Sequence, residues 1–460
     1  MMRSMYSAVS GLSAHQTKMD VIGNNIANVN TVGFKSGRVT FQEVFSQTIR
    51  GASAPQDDRG GSNPQQIGLG ANVASIDTIF TRGAAEATGV AADLMINGDN
   101  GFFIVSNDSN FANRSYTRAG NFKIDAAGNL VTTEGYRVLG YPVEESSYGG
   151  KPVYKTSLEG LKINQAATVP AQITTKATAS GNLDSETKLL DPAPANLISE
   201  DPTDRDAVYI KTADGKYETN PDYADCIARE YTFEVNDKLG GTHTIRQAFI
   251  KTNENEFTVV SFYEGKDGTM TSFKDGATTN PATEVISFED GIWESGGPLE
   301  LTIDGAVTNG AGAVIFNVNY NDLTSYASDS NASAEKDDGY KAGTLDGYTI
   351  GADGTISGIF SNGVKTPLGR IAIANFKNPA GLQKTDSNMF INTANSGDPI
   401  IGKPGEAGFA SLNPGTLEMS NVDLSREFTY MITTQRGFQA NSRVITTTDQ
   451  MLEELVNLKR

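Results

Sequence analysis

"GNNIANVNTVGFK", residues 23–35, stands directly behind a stretch that otherwise reads as an amphipathic helix, and how it is read decides how the chain is built. From Met2 onward the apolar side chains fall at Met5, Val9, Leu12, Met19 and Ile26, with Gln16 and Gly23 in the remaining slots of an alternating four-three spacing. That is a heptad seam. Asn24, Asn25, Asn28 and Asn30 are poor interior helix residues, but their amides can hydrogen-bond across a packed helical wall where purely apolar seams would bind indiscriminately. Gly23 permits close approach, residues 28–31 form the helix exit, and Gly33 supplies a residue able to take positive φ. The stretch predicts an assembly surface followed by a hinge at Gly33 and Gly37.

The far end repeats the pattern. Leu424, Phe428, Met431, Phe438, Ile445, Leu452 and Val456 keep the same spacing, interrupted by Gln435, Ser442 and Asp449. In "SNVDLSREF", residues 420–428, Ser420 is expected to cap the helix, with Asp423 adding negative charge at its positive end. Lys459 and Arg460 suit the opposite end. Two helices of about 25 and 35 residues are therefore expected, with apolar stripes too narrow for ordinary core helices. A pair packed on itself inside one monomeric domain is the plain alternative. Against it, about a dozen large side chains at roughly 1.5–3 kcal/mol each must offset the ordering of some sixty residues at about 1–2 kcal/mol each. The comparison favours helices that become stable when other copies surround them.

Between the ends the composition is that of folded β domains. The chain has 460 residues, 38% of them hydrophobic, enough for two to four cores. Its 48 glycines mark many turns, and Thr, Val, Ile, Tyr and Phe alternate with polar residues in short runs such as "REYTFEVND", "HTIRQAFI" and "FTVVSFYEG". A net charge of −18 argues against nucleic acid or an anionic lipid surface as a partner. The single cysteine, Cys226, excludes an intramolecular disulfide framework. There is no apolar run long enough to insert in a membrane, and the N-terminal stretch lacks the continuous apolar core of a cleavable signal peptide.

Two long motifs at opposite ends carry a resemblance. "MYSAVSGLSAHQTKMDVIGNNIANVNTVGFKSGRVTF" (5–41) and "LEMSNVDLSREFTYMITTQRGFQANSRVITTTDQMLEELVNL" (417–458) closely resemble the terminal signatures of the bacterial flagellar axial proteins, the rod and hook family. Further inward, "TGVAADLMINGDNGFFIV" and "YTRAGNFKIDAAGNLVTTEGYRVLGY" resemble the first half of that family's β domain. They place Asp93, Gly98, Phe102, Phe103, Arg118, Gly120 and Gly128 at motif positions. "DGTISGIFSNGVKTPLGRIAIANFKNPAGLQK" is similar to the second half. The long intervening insert points to the hook branch of the family, with a distal rod subunit as the alternative and a secreted β-rich adhesin as the reading outside it.

The expected fold is therefore α+β and multidomain, with long terminal helices forming a coiled-coil-like layer around nested, mainly β domains. Residues 1–34 and 416–460 are expected to form the helical assembly domain and 35–70 a linker. Residues 71–157 and 342–415 are assigned to a discontinuous β domain, and 158–341 to an inserted outer one of one or two subdomains. The resemblance implies a homopolymer: a curved, flexible tube coupling the motor's rod to the filament. It further implies neighbours at the rod, the hook–filament junction and the hook cap, and extracellular placement by flagellar type III export without a cleavable signal peptide. Some relatives are thought to crosslink subunits through a cysteine and a lysine; a solitary buried thiol is the simpler reading of Cys226.

Enzymatic chemistry finds little support. His15 and His243 are the only histidines, and neither has a nucleophile motif beside it. "GLGANV" (68–73) lacks the third glycine of a dinucleotide loop and reads as a loop entering a strand. "DPTDRD" (201–206) and "KDDG" (336–339) do not continue into a calcium loop and read as solvated turns. No cofactor, metal or catalytic residue is expected.

Overall fold

The computed structural model describes residues 2–458 apart from 56–59, 145–151, 165, 192–196, 200, 202, 205, 266–269, 273–282, 306, 307 and 309. Lys459 and Arg460, and part of the "DPTDRD" turn, lie outside the described residues. The chain is mostly β, opened by helix α1 (Met2–Ala27) and closed by helix α2 (Leu424–Asn457). Helix α2 is capped by Asp423, whose Oδ1 accepts from the backbone N–H groups of Ser425 and Arg426; Ser420, the expected cap, instead accepts from Val422 within the preceding turn. Asp423 wins because its carboxylate meets the first free N–H groups and also their dipole.

Residues 35–70, expected as a linker, hold three strands, Gly37–Glu43, Ser46–Arg50 and Gln65–Gly68. Gly37–Glu43 pairs antiparallel with Ala71–Thr78, and Ser46–Arg50 pairs with Gln65–Gly68, making a two-stranded arm whose near half lies along α1. Val39 and Phe41 alternate along one strand and pair across a register shift with Ile76 and Val73, a pattern that the segment's Gly, Gln and Pro content obscures.

The inner β unit is woven from both sides of the long insert. Arg137–Pro142 pairs with Phe102–Ser106 through its first residues and with Lys365–Ile371 through its last, and Leu94–Asn97 pairs with Ser411–Pro414. Two cores lie against this sheet, one around Leu94, Phe103, Leu130 and Ile371, the other around Phe102, Ile104, Tyr116 and Phe390. Gly120 is there for close approach, since a Cβ on it would stand 1.8 Å from the Leu94 carbonyl oxygen. In the "DAAGN" turn Asp125 Oδ1 accepts from the N–H of Ala127 and Asn129, while Gly128 takes φ +81.

The insert is built on a ten-stranded sheet. The three runs singled out above fall in the strands Ile227–Asn236, Thr242–Asn253 and Glu256–Glu264, antiparallel neighbours in that order. Lys176–Asp184 runs parallel to Val314–Tyr326. Its core surrounds a closed polar group: Tyr231 donates to Gln247 Oε1 at 2.7 Å, and the Gln247 amide donates to Ser261 and Tyr320 at 2.9 and 3.0 Å. A smaller core holds Tyr209, Tyr217 and Phe262 with Cys226. At the neck toward the inner unit Gln172 and Tyr340 exchange backbone hydrogen bonds. His243 is locked between Asp237 Oδ2 at 3.0 Å and the Tyr263 hydroxyl at 3.1 Å, bracing the 237–241 turn.

Cys226 is buried, its thiol donates to the Leu189 carbonyl at 3.6 Å, and burial pushes its pKa up. A thiol so placed is a poor nucleophile. We expect a thiol reagent such as dithionitrobenzoate to leave Cys226 unmodified in the native protein and to titrate it fully in guanidinium; fast native-state modification would contradict this packing.

Candidate assembly surface

Helices α1 and α2 lie antiparallel, with Gly11 beside Asn441, His15 beside Gly437 and Lys18 beside Tyr430. Apart from Ile22, the buried side chains of the pair are small or polar: Ala8, Ala14 and Asn25 from α1, Glu427, Thr434 and Thr448 from α2. Gly11 and Gly437 set the approach, since a Cβ at either would come within 3 Å of the facing side chain. This stripe follows the same heptad spacing as the predicted seams but runs one residue N-terminal to them on both helices: His15 and Ile22 against Gln16 and Gly23, Thr434 and Asn441 against Gln435 and Ser442. The chain pairs its own helices through glycine, alanine, threonine and asparagine, and leaves the large apolar residues beside the contact.

The predicted seam residues divide accordingly. Met5, Leu12, Met19, Ile26, Met431, Phe438, Ile445 and Leu452 are half-buried, whereas Val9, Leu424, Phe428 and Val456 are exposed. Tyr6, Ile432, Leu455 and Leu458, outside the predicted seams, are exposed as well. Such large apolar patches on long surface helices mark contact sites. Three polar atoms in the contact have no partner: His15 Nδ1, Thr434 Oγ1 and Glu427 Oε2.

The asparagines part ways. Asn25 is buried, and its amide both donates to the Gly37 carbonyl and accepts from the Gly37 N–H, each at 2.9 Å, as a strand neighbour would. Its polar atoms thus serve the arm of the same chain, which corrects the expectation that they face another copy. Asn28 closes the helix on Asn24 through bonds of 2.9 and 2.7 Å, and Asn24 is exposed.

Below the helices sits a joint that sequence reasoning missed. Glu418, Lys35 and Arg118 have fully buried side chains. Lys35 Nζ donates to Glu418 Oε1 at 2.6 Å and to the Thr81 carbonyl at 2.7 Å; Arg118 reaches Glu418 Oε2 at 3.3 Å and the Gly98 and Asp99 carbonyls. The Gly83 N–H also donates to Glu418 Oε1, and the Gly33 N–H to the Glu418 carbonyl at 2.7 Å. Asn421 completes the seal, accepting from the Ser36 N–H and donating to the Ile79 carbonyl. Burial lowers the Lys35 and Arg118 pKa values, and the Glu418 carboxylate pulls both back. The expected hinge lies within this joint: Gly33 has φ +68 and is wedged against Arg118 and Ala119, and Gly37 is held by Asn25.

Paired terminal helices, a discontinuous β unit threaded between them and an outer insert define a flagellar axial protein. Four family models match in chain order: the basal body rod protein model over 5–35, the hook protein D1 domain over 95–181, the basal body protein D2 domain over 196–340 and the rod protein C-terminal model over 413–458. The chain belongs to the flagellar hook protein family. It is 40% identical to the flagellar hook protein FlgE of Borreliella burgdorferi and 36% to that of Treponema pallidum, over the whole of both chains in each comparison. In fold it is similar to the crystal structure of Helicobacter pylori flagellar hook protein FlgE2, with a TM-score of 0.51 and 20% identity over 73% of this chain and all of that one. This is a family of structural proteins.

Two substitutions test the site. Glu418→Gln strands two buried cations, and we expect a loss of about 3–5 kcal/mol in urea denaturation of the inner β unit, partly recovered by adding Lys35→Met; no change would dismiss the joint. Burial raises the Glu427 pKa above the ordinary glutamate range, with an Asn25 hydrogen bond partly offsetting it. The folded state then binds this proton more tightly than the unfolded chain, so its contribution is present at low pH and lost as pH rises through the raised value. Glu427→Gln should therefore raise the melting temperature at neutral pH, with the gain vanishing as pH falls into the ordinary glutamate range.

Proposed function

We propose that this chain is the structural subunit of the flagellar hook, self-assembling into a curved, flexible tube that couples the motor's rod to the filament and carries torque. The observation that supports it best is the off-register stripe: each chain joins its own helices through small and polar residues and keeps its apolar seams for other copies. In the tube, α1 and α2 of many copies form a coiled-coil-like inner layer, with Met5, Val9, Leu12, Met19 and Ile26 meeting Leu424, Phe428, Met431, Phe438, Ile445, Leu452 and Val456 of neighbours. Asn24 and Asn28 face such neighbours too. Beyond the Ala71–Thr78 strand, which belongs to the arm, residues 71–157 and 342–415 make the middle layer together with the start of the insert, whose Leu161, Ile163 and Val169 pack in the inner core, and the remainder of 158–341 makes the outer one.

Gly33 and Gly37 act in this reading as a fixed elbow, and bending is taken up between copies. Polar outer surfaces favour it, because wet contacts exchange with water at little cost. The specific neighbours are the rod at one end and the junction and cap proteins at the other. Export through the flagellar type III apparatus, without a cleavable signal peptide, suits helices that gain their stability only on docking. The rod-subunit alternative fits less well, because the relatives at 36% and 40% identity over the whole chain are hook proteins.

Removing residues 1–32 and 420–460 should leave a folded, soluble monomer that makes no tubes under electron microscopy; tubes from the truncated chain would refute the inner layer. Leu12→Asp or Phe438→Asp should abolish polymerisation with the melting temperature of the β units unchanged. A lowered one would put those side chains in a monomer core.

A further inference from the structure

Glu427 is a buried charge that its own chain answers only in part. It stands in the first turn of α2, is 8% exposed, and its Oε2 has no partner. It lines a cavity of about 380 Å³ between α1, the root of the arm and α2, walled by Val21, Ile22, Val39 and Ile79. The cations around the cavity are held elsewhere or face water: Lys18 Nζ lies over the rings of Phe41 and Tyr430 at 5.4 and 5.5 Å, Arg38 reaches Asp77 at 3.4 Å, and Arg426 is exposed. Asp423 is committed to the cap of α2. With Asp77 counted, three charges of each sign surround the space, so an entering cation meets no net repulsion, whereas an anion would face the unpartnered carboxylate oxygen. The complementary shortage lies on the outside of the helices. Arg3 on α1 and Arg436 and Arg443 on α2 are exposed, and among the described residues none of the three is in an ion pair.

We propose that this cavity is an intersubunit socket, entered by the guanidinium of Arg3, Arg436 or Arg443 from a second copy, which pairs with the Glu427 carboxylate. The inference rests on the hook-subunit reading and names a contact within it. Arginine suits the space, because its aliphatic stem packs along valine and isoleucine walls while its planar fork meets a carboxylate through two parallel hydrogen bonds. The site is incomplete in one chain and closed by two. Before docking, a desolvated carboxylate oxygen without a partner burdens the monomer. After docking, the same carboxylate belongs to a pair sealed from water, and removing either member strands the other. Neutralising Glu427 should therefore act with opposite sign on the two states, relieving the monomer and weakening the polymer.

The test compares Glu427→Gln with the parent, both as full chains at neutral pH, in two measurements: the melting temperature of the dilute monomer, and the critical concentration for tube formation by sedimentation. We expect the melting temperature to rise and the critical concentration to rise as well, by about tenfold or more. Arg3→Gln, Arg436→Gln and Arg443→Gln then locate the donor. At least one should raise the critical concentration by a similar factor with the melting temperature unchanged, and add nothing further when combined with Glu427→Gln. A critical concentration unchanged or lowered by Glu427→Gln would mean that the carboxylate meets only water, and would overturn the socket. A lowered melting temperature, or three arginine variants that are each without effect or fully additive with Glu427→Gln, would overturn it too. A parent chain that forms no polymer would count against the hook-subunit reading first, and the socket would fall with it.

Discussion

One buried carboxylate holds the architecture together. Three stretches of chain cross between the helices and the β units, near residues 33–36, 79–83 and 415–421, and Glu418 ties all three by its side chain and its backbone carbonyl. The carboxylate is held by two cations and the Gly83 N–H, with Arg118 Nε the one unpartnered atom of the group, and removing one member leaves the others stranded. Its geometry also fixes direction. Guanidinium, ammonium and carboxylate are each bound to separate segments, so a twist applied to the helices is passed to the inner β unit with little slack.

The two ends of the chain obey a different balance. The inner β unit and the insert have continuous apolar cores, whereas the helix pair buries two alanines, two threonines, Ile22, Asn25 and Glu427 and leaves polar atoms unpartnered. Dispersion and burial gained there are small, and ordering two long helices is costly. A rigid body carrying weakly paired helices with exposed apolar edges is what a self-assembling tube subunit requires: the body keeps its shape, and the helices wait for neighbours.

Much of this was legible in the sequence, for local reasons. Heptad spacing, strand alternation and glycine turns are short-range signals, and they located both helices and the long strands of the insert. The exact face was less accessible. Two stripes one residue apart both satisfy the same period, and hydrophobicity singled out the apolar one while close packing selected the small one. Asp423 displaced Ser420 because the helix begins three residues later than the first polar residue suggested. The arm within residues 35–70 was hidden by its Gly, Gln and Pro content, and Asn25 was misread because its partner, Gly37, lies past the helix exit. Lys35 and Glu418 are 383 positions apart, and nothing near either announces the other. The one clue was Arg118 at a family motif position.

The account stands on helices that are incomplete alone and a joint closed within the chain. Hydrogen exchange on the dilute full-length monomer, compared with the polymer, addresses both at once. Amides of α1 and α2 should exchange fast in the monomer and become protected in the polymer, while those of Gly33, Gly83 and the strands around Arg118 are protected in both. Helices as protected in the dilute monomer as the joint itself would contradict the account.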